Sequence, residues 1–218
     1  MKGSFVDVRP DDLAAAMVDA ALAKVPALDR TTVDDVHLGC AQPAGESGYN
    51  LARVVAILAG MPNVGGVTIN RYCSSSLQGI RMAAHAIRAG EGDAFVCAGV
   101  ETVSRFGLGK SDGMPDTKNG RFAESMARTA SRAQGAADVW EPAPGVPDVY
   151  IAMGLTAENV AQAEHVGRAE MDEFAALSQQ RAVAAQNNGF FDREIVPYTT
   201  PAGVTVSRDD CPREGTTA

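Results

Sequence analysis

In the first part of the chain, segments with a helical hydrophobic period alternate with short apolar runs. Residues 11–25 (DDLAAAMVDAALAKV) are rich in alanine and begin with carboxylates, which favours a helix. Residues 36–40 (VHLGC) form a short apolar run, which is typical of a strand. Residues 49–60 place their large apolar side chains on one helical face, and residues 65–70 (GGVTIN) form the next short run. The pattern predicts helix, strand, helix, strand.

One more helix and one more strand continue this alternation. The helix follows Cys73 and ends at Gly90, and residues 94–100 (AFVCAGV) are apolar at nearly every position, as in a strand covered on both faces. Helices that alternate with strands in this way cross over between parallel strands. We therefore predict an α/β fold, built on a mainly parallel sheet with crossover helices.

The composition changes near Ser104, where the chain becomes rich in glycine, proline and aspartate. Helical stretches are set between these segments, with two clear helices at residues 156–166 and 169–188. Residues 194–210 suggest short strands and turns. We predict an α/β domain over residues 1–103 and an inserted loop-and-helix subdomain over residues 104–218.

Composition excludes several classes of function. The chain has 218 residues, of which 45% are hydrophobic, and a net charge of -8 without a dense basic cluster, so a nucleic-acid partner is not expected. The N-terminus lacks an apolar signal region, and the longest apolar run, residues 54–61, is too short to span a membrane. We expect a soluble, unexported protein.

The four cysteines also argue against a metal centre. They lie far apart, with no Cys-x-x-Cys motif and no nearby pair of histidines, which disfavours zinc and a disulfide framework and favours the reducing cytosol. Cys40 and Cys97 lie in apolar runs, where we expect buried side chains. Cys211 lies in a polar segment. His37 and His165 have no evident partner, and we take both as structural or solvated.

Cys73 has the position of a nucleophile, because it lies where a strand ends and a helix begins. Unpaired N–H groups and the helix dipole favour a thiolate and an oxyanion there. Cys73 also starts an apolar helical stripe that we expect to pack inward, and a small buried cysteine is the alternative interpretation. The stripe comprises Cys73, Leu77, Ile80, Ala84 and Ile87. His85 lies on another sector of the helix, so a base would have to come from elsewhere.

Three ordered blocks carry a resemblance to a known family. Residues 67–104 (VTINRYCSSSLQGIRMAAHAIRAGEGDAFVCAGVETVS) resemble the segment around the acyl-accepting cysteine of thiolases. Residues 153–161 (MGLTAENVA) and 172–197 (DEFAALSQQRAVAAQNNGFFDREIVP) are similar to the segments that follow in that family. Ketosynthases share the CSSSL sequence, and Ser76 replaces a glycine of many thiolases, whereas TAENVA is typical of thiolases. The resemblance implies a thiolase-like layered fold.

The resemblance also implies a chemistry. Cys73 would attack an acyl-CoA and hold the acyl group in a ping-pong transfer, with its own backbone N–H in the oxyanion hole. Coenzyme A and its thioesters would be substrates, and no further cofactor is implied. Met153 matches the methionine that lines the acyl and pantetheine pocket; an ordinary core methionine is the alternative. The complete protein would be a homo-oligomer, a dimer or tetramer.

Two departures from the family matter. Many biosynthetic thiolases have a histidine where this chain has Ala152, which favours a degradative 3-ketoacyl-CoA thiolase of β-oxidation. The family's first strand and its second half, with the activating histidine, the acid/base cysteine and an asparagine, have no counterpart here. We expect this chain alone to be inactive and to fold poorly or self-associate. A non-catalytic thiolase-like protein that binds acyl-CoA or a partner, and a ketosynthase-type condensing enzyme, are the alternatives.

Overall fold

The computed structural model describes residues 3–106, 115–135, 141 and 145–218, which form two compact units. The first unit covers the described residues of Met1–Gly113 together with Arg193–Asp210, and the second covers those of Met114–Asp192 together with Cys211–Ala218. Residues 193–210, which the sequence analysis assigns to the loop subdomain, therefore lie in the first unit. The predicted domain limits stay a prediction.

The first unit is an α/β structure built on a parallel sheet. Its elements, in chain order, are α1 (Pro10–Ala23), β1 (Asp35–Gly39), α2 (Leu51–Leu58), β2 (Gly65–Ile69), α3 (Ser75–Ala89), β3 (Phe95–Gly99) and α4 (Val103–Phe106). The strands are parallel in the order β2-β1-β3. A small antiparallel pair, β4 (Tyr198–Thr199) and β5 (Thr205–Val206), also belongs to this unit. The predicted fold class is confirmed.

Local sequence explains where the helices begin and end. Pro10 and the carboxylates after it occupy the first turn of α1, where proline needs no N–H partner and acidic groups meet the positive end of the helix dipole. Helix α3 ends at Gly90, whose φ of 75° is the left-handed conformation that glycine adopts without strain. Both boundaries agree with the sequence analysis to within two residues.

Side chains of alternate sheet residues point to opposite faces, and the two faces are covered differently. The even-numbered residues of β1 face α1 and α2, which contact each other and the sheet. There they form the core of the unit with the inner sides of both helices, and every core side chain is at most 6% exposed. The largest buried members of this core are Val18, Val36, Leu38, Leu51, Val55 and Met61.

Helix α3 covers the odd-numbered face and packs through small residues. Its buried positions are Ser75, Gly79 and Ala83, spaced four apart along one side. Gly79 lies against His37 of β1, because a Cβ atom on this glycine would be 3.3 Å from the His37 Cβ. The helix therefore approaches the sheet closely, and only small side chains fit between them.

The prediction that the stripe starting at Cys73 packs inward is wrong for this chain. Leu77 is 65% exposed and Ile80 is 55% exposed, and Ile87 and Cys73 are exposed as well. The small-residue side contacts the sheet instead, so the larger apolar side faces away from it. Strand β3 is half-buried at residues 95–98, whereas the sequence analysis expects cover on both faces. Part of the apolar surface of the first unit is thus left uncovered within this chain.

The second unit consists mainly of helices α5 (Ala123–Ala133), α6 (Met153–Ala163) and α7 (Arg168–Asn187). Arg132 of α5 links two helices, because its guanidinium donates to the side chains of Asn159 and Gln162 on α6. Among the helices described here, none is long and apolar enough to cross a membrane.

Candidate active site

The site begins with the turn between β2 and α3, which presents Cys73. Strand β2 ends at Ile69, and residues Tyr72–Ser74 form a single 3₁₀ turn before α3 begins at Ser75. Tyr72 has a φ of 46°, a left-handed conformation that is uncommon for a bulky residue. The side chain of Cys73 is exposed. The chain therefore reverses sharply at this point and leaves the thiol accessible.

Side-chain hydrogen bonds hold this turn in place. The hydroxyl of Ser75, a residue only 5% exposed, accepts the Arg71 N–H at 2.9 Å and donates to the Tyr72 carbonyl at 2.6 Å. Asn70 accepts the Tyr72 N–H at 3.0 Å. Because Ser75 is also the first residue of α3, the turn and the helix start are fixed to each other.

The start of α3 offers donors for a negative charge. Ser74, at the N-cap, makes no side-chain cap hydrogen bond, so this side chain does not occupy the N–H groups of the first turn. Such groups and the positive end of the helix dipole stabilise anions. The site also lies at the carboxyl edge of a parallel sheet, where ligands bind in open α/β folds. The arrangement suits nucleophilic attack with oxyanion stabilisation.

Cys40 has an opposite environment. Its side chain is 2% exposed and belongs to the core between the sheet and α2. Burial is the largest cause that raises the pKa of its thiol to about 11, and the neighbouring carboxylate of Glu101 raises it further. That carboxylate also accepts the backbone N–H of Ala41. Cys40 is therefore held as a neutral thiol at neutral pH.

The remaining two cysteines differ from both Cys73 and Cys40. Cys97 is half-buried on β3, and burial raises the pKa of its thiol. Cys211 is exposed and belongs to the second unit. Within the first unit, the exposed cysteine at the junction of a strand and a helix is thus Cys73.

The three histidines have distinct surroundings. His37 is 5% exposed on β1, where its Nδ1 lies 3.1 Å from the Gly79 carbonyl oxygen and its Nε2 lies 3.5 Å from a carboxylate oxygen of Asp35. His85 is exposed on α3, and His165 follows α6 with a φ of 57°. Over the described residues, no group of three or more His, Cys, Asp or Glu side chains could hold a metal ion.

Met153 is the first residue of α6, in the second unit, and its side chain is 73% exposed. Ala152 precedes it as the N-cap residue and accepts the Thr156 N–H at 3.1 Å. Exposure does not fit the alternative of an ordinary core methionine within this chain. Cys73 lies in the first unit and Met153 in the second.

Sequence reasoning overlooked the residues that build the turn. The left-handed φ of Tyr72 has no signal in its side chain, since aromatic residues rarely adopt it. Asn70 and Ser75 do carry a signal, because asparagine and serine side chains hydrogen-bond to nearby backbone groups at turns. The role of Glu101 beside Cys40 depends on two strand ends meeting in space, which the sequence pattern does not encode.

The comparison with known families gives one match over the whole chain. The family model described as "Thiolase, N-terminal domain" matches residues 1–218. A beta-ketoadipyl-CoA thiolase of Acinetobacter baylyi is 40% identical over 230 residues, which cover 99% of this chain and 53% of the relative. A 3-ketoacyl-CoA thiolase of Aeromonas salmonicida is 38% identical over 195 residues, covering 89% of this chain and 44% of the relative.

A third relative has a related printed activity. It is a 3-oxoadipyl-CoA/3-oxo-5,6-dehydrosuberyl-CoA thiolase of Escherichia coli K12, 41% identical over 201 residues, which cover 89% of this chain and 47% of the relative. This chain therefore spans about half the length of the curated relatives it matches.

Proposed function

Since this chain belongs to the thiolase family, we propose that it is the part of a thiolase-type acyltransferase that carries the acyl-accepting cysteine, Cys73. The observation that carries the proposal is the exposed position of Cys73 on the turn before α3. Cys40 and Cys97 lie in sites where burial raises the pKa of the thiol and disfavours the reactive thiolate. Cys73 thus has the accessibility and the helix start that a nucleophile needs.

The reaction proposed is thiolysis of a 3-ketoacyl-CoA. The thiolate of Cys73 adds to the 3-keto carbon, and the developing oxyanion meets backbone N–H groups at the helix start. The bond between C2 and C3 breaks, C2 keeps the electron pair and takes a proton, and acetyl-CoA leaves. Free CoA then attacks the acyl-cysteine through its thiolate, which releases the shortened acyl-CoA and restores the Cys73 thiolate.

Two features favour the degradative direction. Ala152 stands where many biosynthetic thiolases have a histidine, and the relatives are named for 3-ketoacyl or 3-oxoadipyl thioesters. We place Met153 in the wall of the acyl and pantetheine pocket, because an exposed methionine is suited to line a flexible apolar binding surface. The expected setting is the cytoplasm, and a part in β-oxidation follows from the 3-ketoacyl substrate.

The proposal needs further protein surface to complete the site. The two proton transfers require a base and an acid, which we assign to the part of a longer thiolase that this chain does not include. The exposed apolar side of α3, with Leu77 and Ile80, supports this assignment, because a contiguous apolar patch marks a surface that another protein surface covers. We also propose that the complete enzyme is a homo-oligomer.

The test is acylation of the full-length protein, meaning a complete thiolase that contains this chain. After brief incubation with an acyl-CoA and no acceptor, peptide mass spectrometry should find the acyl group on the peptide containing YCSSSLQGIR. Cys73→Ala should abolish the adduct, whereas Cys40→Ala, Cys97→Ala and Cys211→Ala should keep it. Added CoA should then release the acyl group as acyl-CoA.

Each other result has a defined meaning. An adduct on another cysteine, or undiminished acyl transfer by Cys73→Ala, contradicts the proposal. Binding of acyl-CoA without any acyl transfer by the wild-type protein supports a non-catalytic thiolase-like protein. An acyl-cysteine that resists CoA but condenses with a second acyl donor supports a ketosynthase-type enzyme.

A further inference from the structure

The first turn of α3 rests directly on the end of β1. Gly39 is the last residue of this strand, and a Cβ atom built on it would lie 2.5 Å from the Ser76 nitrogen and 2.8 Å from the Ser75 carbonyl carbon. Both neighbours are backbone atoms, which cannot rotate out of the way as a side chain can. Any side chain at position 39 would therefore force the helix start and the strand apart.

The end of β3 forms the second half of this contact. Gly99 lies next to Gly39 in the sheet register, and a Cβ atom on Gly99 would lie 3.1 Å from the Ser76 Cβ. Ser76 is the residue that replaces a glycine of many thiolases. The absence of a side chain at Gly99 leaves room for the Ser76 side chain at the present depth of the helix.

The depth of the helix start also fixes the position of Cys73. Ser75, the first residue of α3, is hydrogen-bonded to Arg71 and Tyr72 on the turn that contains the cysteine. A shift of the helix start away from the sheet therefore moves the turn with it. The contact at the two glycines and the location of the thiol are thus mechanically connected.

We propose that Gly39 and Gly99 are positioning residues for Cys73, because they set the depth at which the first turn of α3 sits on the sheet. This inference rests on the proposed acyl-accepting role of Cys73. Displacement of a nucleophile by about 1 Å lowers the rate of reaction by up to about a hundredfold. Oxyanion donors have the same requirement, since they act only within hydrogen-bond distance of the developing charge.

The other face of the sheet provides a matched control. A Cβ atom on Gly66 of β2 would lie 2.6 Å from the Arg53 nitrogen and 2.7 Å from the Ala52 carbonyl carbon, at the start of α2. The steric conflict nearly equals that at Gly39, but it lies between the sheet and α2, on the face opposite to α3. Neither Gly39 nor Gly66 has a left-handed φ, so alanine at either position meets a steric conflict alone.

The first experiment compares Gly39→Ala with Gly66→Ala in the full-length protein. Single-turnover acylation by acyl-CoA is followed by mass spectrometry at several substrate concentrations, and the urea midpoint is measured for each variant. We expect similar decreases of the urea midpoint in both variants. Gly39→Ala should lower the limiting acylation rate at least about tenfold without a matching change in the half-saturating concentration of acyl-CoA, and Gly66→Ala should leave the rate within about twofold of the wild type.

The second experiment is a double-mutant cycle at positions 99 and 76, which decides the matter if Gly39→Ala does not fold. Gly99→Ala should slow acylation, and adding Ser76→Gly should restore the rate, because it removes the Cβ atom that the new methyl group meets. If the acylation rate recovers while the urea midpoint does not, the effect on acylation comes from the position of Cys73 and not from stability.

The outcomes also separate this inference from the proposed function. A wild-type protein that takes no acyl group on Cys73 would disprove the proposed function. A wild type that is acylated, together with equal rates in Gly39→Ala and Gly66→Ala or additive effects in the cycle, would overturn the positioning role alone.

Discussion

The two faces of the central sheet follow opposite packing rules. On the face of α1 and α2, large side chains such as Leu51 and Val55 are 0% exposed, and the core is closed within this chain. On the face of α3, the contact with the sheet is made by serine, glycine and alanine, and Leu77 and Ile80 face outward. Cys73 stands at the start of the helix on this second face. The chain therefore stabilises itself through one face and presents its candidate site on the other.

Close approach explains why the second face is arranged in this way. Small residues allow the backbone of α3 to lie against the strand ends, which defines the helix position sharply. The large apolar side chains on the outer side of the helix then remain available for another surface. A helix that positions a reacting group benefits from both properties, since the sheet fixes its position and a second protein surface covers its outer side.

The largest expected effect contrasts a side chain from each face. In the 218-residue chain, Leu51→Ala should lower the free energy of unfolding by about 3 kcal/mol, because it leaves a cavity in a closed core. Leu77→Ala should change it by less than about 0.5 kcal/mol, because this side chain is already exposed. Urea denaturation at constant pH measures both.

We expect a different result for the outer side of α3 in the full-length protein. There, Leu77→Ala should cost about 2 kcal/mol if another surface covers the outer side of α3. An equal loss from Leu51→Ala and Leu77→Ala in the short chain would break the distinction between the two faces.

The second effect concerns Cys40, which lies in the closed core. Its thiol has a pKa of about 11 in the folded protein, whereas an unfolded cysteine has a pKa of about 8.5. Between these values the unfolded state loses a proton that the folded state keeps, so stability falls as the pH rises through this window. The loss should reach about 3 kcal/mol near the upper end.

The measurement is urea denaturation in steps from pH 8 to pH 11. Cys40→Ala should flatten the alkaline decline relative to the wild type, because it removes the titrating thiol. Cys211→Ala is the control, because it removes a thiol from an exposed position instead of the core. An unaltered decline in Cys40→Ala would show that the buried thiol does not control alkaline stability.

Much of this structure follows from the sequence, and the exceptions have a physical cause. Periodicity and end signals locate α1, α2 and α3 and their strands to within a few residues, because local hydrogen bonding and capping determine helix limits. Periodicity also identifies the apolar stripe of α3. It does not show which side meets the sheet, because Gly39 and Gly99 make the small-residue side the closer fit.

The candidate site shows the same limit. The position of Cys73 between strand and helix follows from the order of the elements, and the resemblance assigns it a chemistry. The left-handed φ of Tyr72 and the contact of Ser76 with Gly39 depend on the exact path of the turn. The contact of Ser76 with Gly39 is a tertiary contact, and such contacts override local preference.

The third effect is a loss of stability at acid pH, which we expect from Asp11 at the edge of the closed face. Burial of Asp11 opposes its ionisation, but the hydrogen bond and positive charge of Arg9, 2.8 Å away, outweigh burial and lower the pKa of this carboxyl. A lowered folded pKa gives stability that is present above the unfolded value of about 3.9 and is lost as the pH falls through the folded value.

Asp11→Asn should therefore reduce the free energy of unfolding by about 1 kcal/mol at pH 7 and by less at pH 3. The control is Asp172→Asn, which removes an exposed pair with Arg168 at 2.8 Å and should have a much smaller effect on stability, because solvent screens this pair. Thermal unfolding across this pH range tests both, and equal effects from the two pairs would contradict the assigned role of burial.

The smallest expected change in stability comes from substitutions on two exposed surfaces, one on α3 and one on α2. Leu77→Ser with Ile80→Ser removes apolar groups from the outer side of α3, and Ile57→Ser with Leu58→Ser does the same on α2, where exposure is 51% and 49%. Each pair should alter the free energy of unfolding by only a few tenths of a kcal/mol, because exposed side chains contribute little to the core.

Self-association should respond differently. The α3 side chains form a row along the uncovered face, so we expect the 218-residue chain to associate through them. Sedimentation velocity over a range of concentrations should show weaker association for the α3 pair and unchanged association for the α2 pair. If the α2 pair weakened association equally, nonspecific hydrophobic association rather than the α3 face would be responsible. If neither pair changed it, the contact would lie on another surface, such as the open edge of the parallel sheet.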